Sequence, residues 1–208
     1  MDLLVYDIET ARLAEETPGG WGNVYGMGLG SVVIYSYMEN KYYEYLHNSS
    51  REEIKNKLNG NKVITFNGMT FDSKVLLGNN RIMEPNANGL SVTISSADRK
   101  TSWVEFDIFR HCLKNMFGKQ TIMESVNLRS RGNNNLDKYA ENTLGSENVK
   151  TGHGKDAPKL YQNGEYEKLI KYNKQDVFIT KQLYEHAKNN GFLINGNGDR
   201  TTISIGRK

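Results

Sequence analysis

The chain has 208 residues, 37% hydrophobic and 25% charged, with 27 Lys and Arg against 24 Asp and Glu. That suits one α/β domain and excludes a histone-like polycation, while the lone Cys112 excludes an internally disulfide-stapled scaffold. Mean hydropathy is -0.66, no apolar run approaches the roughly 20 residues of a membrane span, and Met1–Thr10 lacks the basic and apolar regions of a signal peptide. A chain with no membrane association is therefore expected.

In chain order, Leu3–Ile8 reads as a buried strand that ends in acid. Gly19–Gly30 reads as a flexible glycine-rich loop. Its Gly26-Met27-Gly28-Leu29-Gly30 precedes a strand instead of joining a strand to a helix, so it lacks phosphate-cradle geometry. Val32–Tyr37 and Tyr42–Leu46 form a predicted hairpin across Glu39-Asn40-Lys41. Ser49 or Ser50 caps a helix that ends near Asn59-Gly60. A strand over Lys62–Phe66 runs into the turn Asn67-Gly68, followed by a short helix over Phe71–Leu77. Trp103–Phe109 reads as a strand with helix after it to about Phe117, and Leu136–Leu144 as a helix. Glu165–Asn189 carries the longest helical pattern, closed by Asn190-Gly191. The last residues read as polar, with a β-like piece at Thr201–Ile205. Strands early and helices late describe an α/β layout with a mixed sheet.

Three acidic elements stand out. Asp7 and Glu9 are two apart at a strand end, so both face the side carrying Leu3 and Val5. Such a like-charged pair needs a positive partner, and Mg²⁺ or Mn²⁺ prefers hard oxygen ligands. A solvated strand end is the better explanation of the pair when it is taken alone. Asp72, at a helix start after a strand and a turn, can return to the sheet end or simply favour the helix dipole. Tyr172 and Asp176, four apart, share one helical face.

Together these elements resemble the DEDD superfamily of 3′→5′ exonucleases, in its tyrosine-bearing branch. The first motif, D-x-E, is matched by Asp7-Ile8-Glu9. The second, N-x-x-x-F-D, is matched by Asn67 to Asp72. The third, Y-x-x-x-D, is matched by Tyr172 and Asp176. The histidine branch has His five residues before the last Asp, where this chain has Lys171. The stretches Lys150–Pro158 and Glu167–Val177 are similar to the proofreading domain of family B DNA polymerases and to stand-alone phage and bacterial domains like it. The length leaves no room for a polymerase domain beside it.

The resemblance implies a ribonuclease H-like three-layer α/β fold with a mixed central β-sheet flanked by helices. It places the exonuclease domain over residues 1–190 and a polar C-terminal tail over 191–208. It also implies two divalent ions, Mg²⁺ or Mn²⁺, held by Asp7, Glu9, Asp72 and Asp176. Asp7 bridges both ions, Glu9 and Asp176 complete the water-side site, and Asp72 acts on the second ion. Tyr172 orients the attacking water, since a phenol with pKa near 10 is a poor base at neutral pH. Thr10, Asn67, Phe71, His153 and Lys155 are candidate substrate contacts. Phe71 reads equally as core, His153 equally as structural, and Lys174 as a solvated residue. The expected substrate is single-stranded nucleic acid, DNA favoured over RNA, with a possible replication or repair partner. A bacterial or phage-infected cytoplasm is the expected location. A non-catalytic nucleic-acid-binding module is the lesser alternative, because all four acids are intact.

Overall fold

The computed structural model describes residues 1–46, 48–129, 133–145 and 156–205. Its centre is β1 (Leu3–Thr10), an alternating strand whose two faces enter different cores. Leu4, Tyr6 and Ile8 join one cluster with Val32, Ile34 and Val63. Val5 joins the other with Val33, Ile64, Val177 and Leu183. Because both faces are covered, the neighbouring strand β2 (Leu29–Ser36) reads as a nearly continuous apolar run.

Seven strands form one sheet. They include β3 (Lys41–Leu46), β4 (Lys62–Thr65), β5 (Ile82–Pro85), β6 (Val92–Ser95) and β7 (Ser102–Asp107). Their order is β3-β2-β1-β4-β7-β6-β5. β1 is antiparallel to β2 and parallel to β4, and β4 is parallel to β7. The sheet is therefore mixed, as expected.

The helices are α1 (Arg51–Leu58), α2 (Asp72–Leu77), α3 (Ile108–Met116), α4 (Leu136–Leu144), α5 (Ala157–Gln162) and α6 (Tyr166–Asn190). Ser50 caps α1 through a reciprocal capping box with Glu53. Ile54 and Leu58 of α1 and Val75 and Leu76 of α2 cover one sheet face. α3, α4 and α6 supply the opposite face, which gives three layers. No described helix is long and apolar enough to cross a membrane.

Three segments differ from the sequence reading. No element was expected between 78 and 101, yet β5 and β6 extend the sheet there. Both are only four residues long, and Pro85 is tolerated because β5 is an edge strand. The predicted strand at 103–109 stops at Asp107, whose side chain accepts from Arg110 N–H at 3.0 Å and starts α3. Residues 191–208 read as a polar tail with a β-like piece at Thr201–Ile205; β9 (Arg200–Thr202) overlaps that piece, and β8 (Phe192–Ile194), which was not expected, pairs with it. That hairpin buries Leu193 and Ile203 in the α6-side core.

Candidate active site

Alternation along β1 turns Asp7 and Glu9 toward the face that α6 covers. One turn of α6 brings Asp176, 5% exposed, against them. Asp7, Glu9 and Asp176 each offer a carboxylate oxygen, and these oxygens lie within 4.8 Å of one another. Beside Thr10 the ladder slips by a bulge between Glu9 and Thr10. The chain approaches so closely there that a Cβ on Gly30 would stand 2.8 Å from the Thr10 carbonyl oxygen. Only glycine lets β2 follow the bend that carries the acids.

Asp72 joins from the other side. It opens α2, is 3% exposed, and its Oδ1 accepts from Ile8 N–H at 2.8 Å. Its carboxylate thus touches the backbone between Asp7 and Glu9. Burial raises its pKa to about 7, and the charges of Asp107 and Asp176 add to the rise. Asp72 lines the same cleft as the other three acids, a space of about 450 Å³.

The second motif is held by an inward scaffold. Asn67 sits at φ 74°. Its N–H and that of Met69 donate to the two oxygens of Asp107 at 2.9 and 3.0 Å. One buried carboxylate therefore caps α3 and fixes the turn before α2. Arg110 Nη2 donates to Asn67 Oδ1 at 2.6 Å, and Thr70 Oγ1 donates to the same atom at 2.8 Å. A guanidinium has only donors, so the amide carbonyl must face Arg110 and Nδ2 is left for the cleft. Arg110 Nη1 also donates to the Ser125 and Leu128 carbonyls, both at 3.0 Å.

Phe71 and Thr10 line the cleft. Thr10 turns its hydroxyl onto the Arg12 carbonyl at 3.0 Å. Tyr172 is one turn before Asp176 on α6, 7% exposed, and packs with Ala157 and Leu169. His153 and Lys155 lie outside the described residues. Lys174 donates to Glu44 at 2.7 Å, on an exposed face. Cys112 is fully buried and its thiol is pushed up to about 12 by burial, as befits a small core residue.

Several cleft residues had no sequence signal. The 19–30 stretch is not a loose loop. It folds into short 3₁₀ turns, Gly20–Gly22 and Val24–Met27, that bury Val24 and Met27. This brings Trp21 to the cleft wall, and Pro158 of α5 lines it too. Arg110 lies in a stretch with no pattern that marks a role. Its partners come from segments 15 to 43 positions away.

A set of hard carboxylate oxygens converging at the end of a mixed sheet could hold a divalent cation. The residues fit Mg²⁺ or Mn²⁺ on two counts: the acids converge, and burial opposes the Asp72 charge, which a cation would compensate. A family model of the RNase H superfamily matches residues 4–188, and the chain belongs to that superfamily. No curated protein matches it. The RNase H-like superfamily is typically one of nucleases that use divalent metals, so a nuclease-type hydrolase activity goes with this cleft.

Proposed function

We propose that this protein is a 3′→5′ exonuclease of the tyrosine-bearing DEDD type that trims single-stranded DNA and releases nucleoside 5′-monophosphates. The observation that carries the reading is the convergence of Asp7, Glu9 and Asp176 within 4.8 Å, with Asp72 tied to Ile8 between the first two. Asp7, Glu9 and Asp176 would hold one divalent ion, and Asp7 with Asp72 a second. Bound there, the ions would lower the pKa of the attacking water and offset charge on the leaving 3′ oxygen.

The protein's own groups do the rest. The Nδ2 end of Asn67, left to the cleft by Arg110, donates to a phosphate or sugar oxygen. Tyr172 orients the water by a hydrogen bond, a role supported by its one-turn spacing from Asp176. Phe71 offers its ring to a base near the strand end. His153 and Lys155 supply phosphate contacts.

An oligonucleotide labelled at its 3′ end, incubated with Mg²⁺ or Mn²⁺, tests the reading. Mononucleotide release that Asp7→Ala abolishes is expected. Release that survives Asp7→Ala, or no release at all, overturns it. Matched DNA and RNA strands compared in the same assay decide the sugar, since RNA preference requires a contact to the 2′-OH.

A further inference from the structure

Trp21 is 70% exposed, among the largest apolar side chains the described surface presents. A single exposed aromatic is ordinary. This one is not placed at random, because it lines the acid-bearing cleft and meets Phe71 there. The two rings lie 6.4 Å apart between centroids, tilted by 52°. They touch without stacking, so with most of its surface open the indole keeps at least one ring face free.

The loop that carries Trp21 is fastened on all sides. Asn79 Nδ2 donates to the Gly22 carbonyl at 3.0 Å, and Asn23 Nδ2 to the Pro18 carbonyl at 2.9 Å. The Arg51 guanidinium lies 4.2 Å over the Tyr25 ring. Gln162 of α5 donates to Glu16 at 2.8 Å. Met27 and Val24 anchor the turns in the core. A large aromatic ring is therefore held out over the cleft by a loop whose ordering cost is met by other contacts. Such an arrangement stabilises a flat apolar ligand that arrives unpaired.

We infer that Trp21 forms, with Phe71, a binding site for the unpaired nucleobase at the 3′ end of the strand whose phosphate lies on the acids. This rests on the nuclease reading above and adds to it: terminal base recognition is assigned to a residue outside the three motifs. The chemistry fits because one cleft offers hard oxygens for cations at its floor and π faces at its rim. Phosphate and base of a single nucleotide need these two surfaces. A duplex end hides its ring faces in stacking, so the site selects frayed or single-stranded ends. An end without a base gains nothing from it.

Tryptophan fluorescence tests this directly. The chain has two tryptophans. The other, Trp103, is 1% exposed and donates to Glu105 at 2.8 Å, so quenching by an added base reads Trp21. The probes are a short oligothymidylate with an ordinary 3′ residue and the same strand ending in an abasic tetrahydrofuran residue, both with Ca²⁺ in place of Mg²⁺. Affinity of the parent and of both variants is read by the anisotropy of the same strands carrying a 5′-fluorescein, and there Trp21→Ala should weaken binding of the base-ended strand by about tenfold. Trp21→Phe should restore most of that loss. All three proteins should hold the abasic-ended strand equally, within about twofold. Equal weakening of both strands by Trp21→Ala, or no weakening, overturns the site. Mononucleotide release with Mn²⁺ is read separately. Binding with base preference but no release overturns the nuclease reading alone. Release from which Trp21→Ala removes no base preference overturns the Trp21 site alone.

Discussion

Asp72 and Ile8, 64 positions apart, meet through one hydrogen bond, the Ile8 N–H donating to Asp72 Oδ1 at 2.8 Å. The bond seats the carboxylate of the second motif against the backbone of the first. It also leaves Asp72 buried, where its charge is disfavoured. Asp72→Asn keeps an acceptor for Ile8 and removes the ionisable group. At pH 8 and without divalent ions the variant should melt a few degrees higher than the parent. Nuclease activity should fall by about a hundredfold or more, since a cation ligand is lost. Thermal melts and release assays check both. A variant that melts lower yet stays active would contradict the assignment.

Divalent ions should stabilise the folded chain. Mn²⁺ at about 100 times its Kd adds roughly 2.7 kcal/mol by mass action. Asp7→Asn should raise the metal-free melting temperature by relieving repulsion among the converging acids, and should flatten the response to Mn²⁺. A parent melting curve insensitive to Mn²⁺ and Mg²⁺ would show that the carboxylates hold no cation.

Gly30→Ala probes how tightly the acids are placed. The new Cβ would meet Thr10 backbone atoms at 2.8 and 3.0 Å, and backbone cannot swing aside as a side-chain tip does. About 1–3 kcal/mol of stability should be lost by urea unfolding. Mn²⁺ affinity should fall as well, because the displaced bulge carries Glu9. A variant with the parent's Mn²⁺ titration would mean that the acids do not depend on this approach.

Glu105 sets a pH dependence apart from the cleft. It is fully buried and accepts from Thr65 Oγ1 at 2.7 Å and Trp103 Nε1 at 2.8 Å. Burial first, and Asp107 second, push its pKa from 4.5 to about 8. Across that window the unfolded chain gives up the proton and the folded chain keeps it. The contribution of Glu105 to stability therefore falls as pH rises from 4.5 toward 8 and is level above that. Glu105→Gln keeps a carbonyl for Trp103 and an amide for Thr65 while removing the titration. Its stability relative to the parent should grow between about pH 5 and pH 8 in denaturant titrations. A constant difference would place the Glu105 pKa near its ordinary value.

Much of the site was legible because the informative residues follow local rules. Asp7 and Glu9 share a face by the two-residue period of a strand, and Tyr172 and Asp176 share one by the helical turn. Ser50 and Asn190-Gly191 mark helix ends by capping chemistry. β5 and β6 were not legible: strands of four residues carry too little alternation to stand out, and they form because β6 pairs with the open edge of β7 and β5 pairs with β6. Leu193 and Ile203, in a stretch that is polar on average, enter the core only because β8 and β9 fold back onto α3 and α6.

The order of motifs along the chain, and with it the mixed α/β layout and the identity of the acids, was determined by sequence alone, because strand and helix periods and residue chemistry are local properties. Convergence was decided by the tertiary structure. Asp176 reaches Asp7 and Glu9 because α6 packs across β1 and β2, and Asp72 reaches Ile8 because α2 packs on β1. The same holds for Asn67, whose amide is turned by Arg110 across 43 positions, and for Trp21, whose loop is pinned over the cleft by Asn79 and Gln162. Contacts between segments so far apart arise from core packing and satisfied buried polar groups, which no local pattern encodes.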